Sequence, residues 1–323
     1  MNKLKFAFYW AASCGGCEIA VLDINEKILD VVKLADIVFW PVAMDVKYKD
    51  VEAMPDKSID VCFFNGSIRN AENEKMAKLL RQKSKILVAF GSCAHEGCIP
   101  GLANLHNREE IFQKLYLDCP SVKNQEKITP NTSTKVKEGE VHIPEFYDTV
   151  KTLGQTVDVD YYLPGCPPPV DLIIKAVEAI ASNKLPPKGS VLAPNKSVCD
   201  ECPRKREKKK ISKIYRVYEK APEPEKCVLE QGIICLGPAT RAGCGAQCLK
   251  VDMPCTGCGG PCPGELEQGA AMIGALASIL GVDEEKLEGY DAQKLIRQVK
   301  DPVGTFYRYS LPASILHRKV KKE

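Results

Sequence analysis

The 323-residue chain has no apolar run near the roughly 18 residues that a membrane-crossing helix needs. It also has little net charge. Forty-five Lys and Arg against 42 Asp and Glu leave +3, so no overall field directs it to nucleic acid or to a membrane surface. There is no GxGxxG loop and no Walker lysine motif, which argues against a nucleotide site. No acid, base and nucleophile set stands out. The opening MNKLKFAFYWAASCGGCE has only a short apolar stretch before a cysteine pair and no twin arginine, so a cytoplasmic location is expected. A hydrophobic share of 45% excludes general disorder.

Cysteine, by contrast, is abundant. Of the 16 cysteines, seven lie in residues 1–198 and nine in the stretch from Cys199 to Cys262. In a reducing compartment so many thiols point to metal binding rather than to disulfides. The first part alternates strands and helices. Lys5–Trp10, Asp36–Pro41, Ile59–Asn65, Lys85–Gly91 and Val157–Pro164 read as strands; Ile19–Val32, Glu72–Lys83 and Val170–Ala181 read as helices. Val122–Gly139 reads as a polar insertion. This α/β alternation predicts an open, doubly wound parallel sheet over residues 1–185. A linker (Leu185–Lys188, Ala193–Pro194) leads to a Cys-rich, mostly irregular domain, 186–323, with one helix expected at Glu265–Leu280. Arg204–Lys220 carries nine Lys and Arg and reads as a solvated face, a docking surface or, less expectedly, a nucleic-acid contact.

In open parallel sheets, ligands sit outside the carboxyl ends of the strands. Three predicted strands run there into SCGGCE (Cys14, Cys17), GSCA (Cys93) and PGCPPP (Cys166), placing four thiols at one edge. Four thiolates suit zinc or an iron–sulfur cluster, and the flanking glycines let backbone approach a bulky group. The plain alternative is a redox dithiol beside two core cysteines. The second part supplies eight more. Taken in order they make one set of Cys199, Cys202, Cys227 and Cys235 and another of Cys244, Cys248, Cys255 and Cys258, with interleaving left open. Two structural zincs in a nucleic-acid-binding protein would account for these eight. They would not account for a third site in a neighbouring fold, whereas three clusters make an electron relay.

The turns SCGGCE, GSCA and PGCPPP, with CLGPATRAGC, PCTGCGG and the C-terminal GTFYRYSLP, resemble the small (gamma) subunit of [NiFe] hydrogenases. More narrowly, they resemble that of the cytoplasmic methyl-viologen-reducing enzyme associated with heterodisulfide reductase. The resemblance implies a flavodoxin-like domain followed by an iron–sulfur domain, and three [4Fe-4S] clusters. It implies proximal ligands Cys14, Cys17, Cys93 and Cys166, distal ligands Cys199, Cys202, Cys227 and Cys235, and medial ligands Cys244, Cys255 and Cys258, with Cys248 as the fourth. The implied partners are a nickel–iron large subunit, a [2Fe-2S] electron-transfer subunit and a heterodisulfide reductase-type complex, in the setting of methanogenesis.

Four cysteines remain. Cys62 is expected in the core. Cys98 could compete as a proximal ligand, Cys262 could replace Cys248, and Cys119 has no assigned role. Glu18 is expected to cap the first helix, with a proton-carrying role as the alternative. His95 is expected either solvated or donating to a cluster sulfur. The helix at Glu265–Leu280 and FYRYSLP are expected to cover the large-subunit interface. A complex I-like quinone-reductase subunit shares the first fold, but its motif has adjacent cysteines, where Cys14 and Cys17 here are separated by two glycines.

Overall fold

The apolar runs of the first half are strands buried on both faces. A computed structural model of the chain describes residues 3–207, 210–280, 294 and 297–319. Its strands are β1 (Leu4–Trp10), β2 (Ala35–Phe39), β3 (Ile59–Asn65), β4 (Ile68–Asn70), β5 (Ser84–Phe90), β6 (Ser133–Val136), β7 (Gly139–His142), β8 (Phe146–Lys151), β9 (Tyr161–Leu163) and β10 (Ser190–Val191). Six form one sheet in the order β10-β9-β5-β3-β1-β2, and every pairing in it is parallel. The order reverses beside β1, as in flavodoxin-like sheets.

Side-chain alternation divides the core. Phe6, Phe8, Phe63 and Phe90 pack on one face with Leu172, Ile173, Ala176, Val177 and Ile180 of the helix Val170–Ala181. Tyr9, Phe39, Phe64 and Leu87 pack on the other with Met76, Ala77 and Leu80 of the helix Ala71–Lys83. Period two in the strands and 3.6 in the helices make both sets continuous. Each fully buried large side chain contributes about 1.5–3 kcal/mol. The second helix starts where the Asn70 side chain accepts from the Asn73 N–H at 2.8 Å.

Three elements depart from expectation. The helix predicted over Ile19–Val32 is two, Gly16–Leu22 and Ile28–Leu34, because Asn25 adopts φ +54 and turns the chain between them. The strand predicted from Val157 begins only at Tyr161. Its approach is a turn closed by the Leu153 carbonyl, and Asp160 spends a carboxylate oxygen on the Leu87 N–H at 2.8 Å. The polar insertion is partly ordered as an exposed β6–β7 hairpin, and β4 pairs with β8 antiparallel.

Beyond β10 the chain is largely irregular around a second core. The helix Gln268–Leu280 contributes Met272, Leu276 and Leu280, and the C-terminal segment contributes Phe306, Tyr307 and Leu311. FYRYSLP is therefore interior rather than a covering strip. Exposed apolar side chains include Trp10, against Gly15, and Ile19 and Leu22 on the helix that starts at Gly16. Among the described residues no helix is long and apolar enough to cross a membrane.

Candidate functional site

Parallel strands put their carboxyl ends at one edge, and four thiols meet there. β1 leads into the turn of Cys14 and Cys17, β5 into Gly91 and the helical turn Ser92–Glu96 with Cys93, and β9 into Gly165–Cys166. The buried Cys17 thiol is pushed up, first by burial and then by the thiols of Cys93, Cys166 and Cys14. The close packing explains two glycines. Gly91 has φ +84, and a Cβ there would lie 2.4 Å from Cys17 Sγ; Gly165 has φ +130, and a Cβ would lie 2.5 Å from Pro168 Cα. Ser92 ties the loops together. Its N–H donates to the Gly165 carbonyl at 2.8 Å, and its hydroxyl accepts from the Gly165 N–H at 3.2 Å.

The other eight thiols fall into two groups along the chain. Cys199, pushed up to about 12 mainly by burial, also feels Cys235, Cys227 and Cys202. Cys258, pushed up to about 11 for the same first reason, feels Cys244 and Cys248, and Cys255, raised by burial, feels Cys235 first and then Cys258. A cavity of about 310 Å³, some ten times the roughly 30 Å³ share of one water, is lined by Cys166, Cys244, Cys248, Cys255 and Cys258. Among the described residues no three His, Cys, Asp or Glu gather as one metal ion requires. The thiols border a space instead, and soft donors around a space fit a polynuclear sulfur-bridged group.

Hydrogen bonds join the three groups in series. The Ser92 hydroxyl donates to the Cys258 carbonyl at 2.5 Å, and the Cys258 thiol feels that of Cys166. At the other end the Cys255 N–H donates to Cys235 Sγ at 3.3 Å, while the Leu236 N–H donates to the Cys255 carbonyl at 2.9 Å. The group of Cys244–Cys258 therefore lies between the other two, although it comes last in the chain.

The remaining candidates fall as follows. Cys62 is buried in the core, as expected. Cys262 contacts the Pro238 carbonyl at 3.2 Å, and its charged neighbours are Arg241, Glu265 and Asp200, with no other thiol among them. Cys98 is wholly buried, and its sulfur lies 3.7 Å from Cys166 Sγ. Cys119 is away from all three groups, against Ser121. Glu18 does not cap its helix; its carboxylate turns inward and accepts from the Trp40 indole and the Asn65 amide, and burial pushes it up. His95 is not solvated. It is buried against Glu96 (3.1 Å) and the Tyr162 ring, and burial pushes it down to about 4.

Three residues that hold the site, Arg204, Gln268 and Glu201, carried no sequence signal. Arg204, counted within the basic stretch, is buried; it donates to the carbonyls of Leu249 (3.0 Å), Glu223 (2.7 Å) and Lys226 (3.0 Å) and pairs with Asp252. Lys208 and Lys209 of that stretch lie outside the described residues. The buried Gln268 amide donates to the carbonyls of Gly257 (2.9 Å) and Gly260 (3.0 Å), fixing the turn that carries Cys258. A carboxylate, Glu201, accepts from the N–H groups of Gly243 (3.1 Å) and Gly245 (2.9 Å) on either side of Cys244.

Known proteins resemble this chain over its full length. The family described as NADH ubiquinone oxidoreductase, 20 Kd subunit, matches residues 14–180, which takes in the first thiol group and leaves out the second part. An iron–sulfur subunit of the F420-non-reducing hydrogenase of Archaeoglobus profundus is 44% identical over 99% of each chain. The corresponding F420-non-reducing hydrogenase subunit of Methanothermobacter thermautotrophicus is 37% identical over 100% of this chain and 99% of its own.

The chain belongs to this family of hydrogenase iron–sulfur subunits. It is thus a subunit of an oxidoreductase that acts on hydrogen, and the complex I-like and zinc-stapled readings are set aside by relatives that span both parts. A solved NAD+-reducing [NiFe]-hydrogenase chain matches with a TM-score of 0.50 and 26% identity, covering 57% of this chain and 94% of that one. A [NiFeSe] hydrogenase chain from Desulfovibrio vulgaris Hildenborough, at 17% identity and a TM-score of 0.50, shares the fold over 81% of this chain.

Proposed function

We propose that this subunit relays electrons between a [NiFe] large subunit and an iron–sulfur or flavin partner through three [4Fe-4S] clusters. Cys14, Cys17, Cys93 and Cys166 would hold the proximal cluster, within residues 1–185. Cys244, Cys248, Cys255 and Cys258 would hold the medial one and Cys199, Cys202, Cys227 and Cys235 the distal one, both within residues 186–323. When bound, such clusters supply one-electron oxidation and reduction at potentials set by burial and by hydrogen bonds to sulfur. The observation that carries the reading is the pair of hydrogen bonds, Ser92 hydroxyl to Cys258 carbonyl and Cys255 N–H to Cys235 sulfur, which tie the turns of the three thiol groups together in series.

The residues' part is to hold and to insulate. Ser92, Gln268, Glu201 and Arg204 fix the thiol-bearing turns through backbone groups. Cys14 and Cys166 are exposed, and so are Ile19 and Leu22 on the helix that begins between Cys14 and Cys17, which suits a large subunit seated over the first group. The far group would face a [2Fe-2S] electron-transfer subunit and a heterodisulfide reductase-type complex, in the cytoplasm.

The test uses the anaerobically purified complex. Admitting hydrogen should bleach the iron–sulfur absorption of this subunit, and the partner complex should restore it. Cys199→Ala should leave hydrogen-driven bleaching of the remaining clusters and slow reoxidation by the partner at least tenfold. Unchanged reoxidation in that variant would remove the Cys199 group from the exit of the relay.

A further inference from the structure

One thiol at the first group belongs to none of the three sets. Cys98 lies five residues beyond Cys93 and is 0% exposed, with its sulfur 3.7 Å from Cys166 Sγ and also within reach of Cys93. Its position is enforced. Gly97 and Cys98 take successive left-handed conformations, φ +90 and +48, and the Cys98 N–H donates to the Tyr309 carbonyl at 2.9 Å. Pro312 closes the other side, since a Cβ on either Gly97 or Gly101 would lie 2.3 Å from its Cγ. A segment some 200 residues later in the chain thereby clamps the turn that carries Cys98.

We propose that Cys98 stays a thiol and donates an S–H hydrogen bond to the Cys166 sulfur, tuning the centre that Cys14, Cys17, Cys93 and Cys166 hold. The inference rests on the relay reading above. The Cys98 sulfur stands in donor position to Cys166 Sγ at 3.7 Å, buried and on a turn clamped by Tyr309 and Pro312. A donor aimed at a ligand sulfur favours the more electron-rich, reduced state and so raises the reduction potential. Cys98 is in these terms a positioning and tuning residue and supplies no iron ligand.

Cys98→Ala and Cys98→Ser in the complete complex test this, with iron and sulfide counts and an EPR-monitored redox titration as readouts. Both variants should keep the full iron count. The alanine variant should shift the midpoint of one centre to lower potential, and the serine variant, which retains an O–H donor, should recover most of the shift. An unshifted midpoint in the alanine variant overturns the proposal, as does a serine variant that titrates like alanine. Loss of iron from the alanine variant alone overturns it in favour of ligation by Cys98. Should the unaltered subunit contain no iron–sulfur centre, the relay reading fails first, and the count separates that failure from this one.

Discussion

The Cys255 N–H donates to the sulfur of Cys235 across 3.3 Å, so one peptide group links two thiol sets that the chain order keeps apart. Together with the bond from the Ser92 hydroxyl to the Cys258 carbonyl, it makes the group of Cys244, Cys248, Cys255 and Cys258 the middle of the line. Sulfur atoms that accept backbone N–H bonds are held in place and electrostatically stabilised as thiolates. The same bonds that order the sites also prepare their ligands.

The first prediction concerns Gly91. A methyl group there would lie 2.4 Å from Cys17 Sγ, on a backbone at φ +84. Gly91→Ala should displace Cys17 and lower the iron content by about four per chain, the content of one [4Fe-4S] cluster. Gly189→Ala serves as the control, since it too has a positive φ (+85) but nothing lies within 4 Å of its Cβ position. Iron analysis of the two purified variants separates a site effect from a general one.

Arg204 gives a stability prediction. Its guanidinium donates to three carbonyls, that of Leu249 buried, and so bridges the turns before Cys227 and after Cys248. Arg204→Met keeps the side-chain length and removes the donor to the Leu249 carbonyl, worth about 1–3 kcal/mol, while Gln231 still donates to the Glu223 and Lys226 carbonyls. A loss of about 2 kcal/mol is expected, read as a lower denaturant midpoint. Arg204→Lys should rescue little, because an ammonium cannot reproduce the planar fork.

The thiols predict a pH dependence for the metal-free chain. Burial holds Cys235 and Cys258 up to about 11 and Cys199 up to about 12, against an ordinary value near 9. The folded state thus keeps protons that the unfolded chain releases first. The stability from these groups is complete below about pH 9 and is lost as pH rises through 11. Iron loading must release the same protons, so reconstitution should speed up between about pH 7 and pH 9 and acidify an unbuffered solution. Stopped-flow reconstitution with a pH indicator reads both effects.

Glu96 behaves in the same sense at lower pH. Burial, with Glu267 nearby, pushes its carboxyl up to about 8, so the folded state holds it neutral at pH 7 while the unfolded chain ionises near 4.5. Its contribution is complete below about 4.5 and fades as pH rises to 8. Glu96→Gln, permanently neutral, should flatten the melting temperature between about pH 5 and pH 8. A pH series of thermal melts on both proteins checks it.

Strand ends carried most of the site in the sequence. Cys14, Cys93 and Cys166 each lie just beyond an apolar run, and parallel topology alone brings such positions to one edge. Spacing could not reveal what distant segments supply. Cys98 meets Cys166 because Tyr309 and Pro312 clamp its turn, and Gln268 reaches Gly257 and Gly260 from the first turn of a helix whose apolar pattern shows only its core face. Arg204 reads as one more surface charge until three carbonyls surround it. The break at Asn25 was hidden because apolar spacing continues on both sides of it, and FYRYSLP reads alike whether it covers a partner or, as here, fills a core.

The central claim is that twelve of the sixteen cysteines bind three four-iron centres in series. Iron, zinc and acid-labile sulfide counted per chain of this subunit, in complex purified without exposure to air, test it most directly. The account predicts about twelve irons and twelve sulfides, four of each per [4Fe-4S] centre, with no stoichiometric zinc. Two or three zincs with almost no iron or sulfide would contradict it.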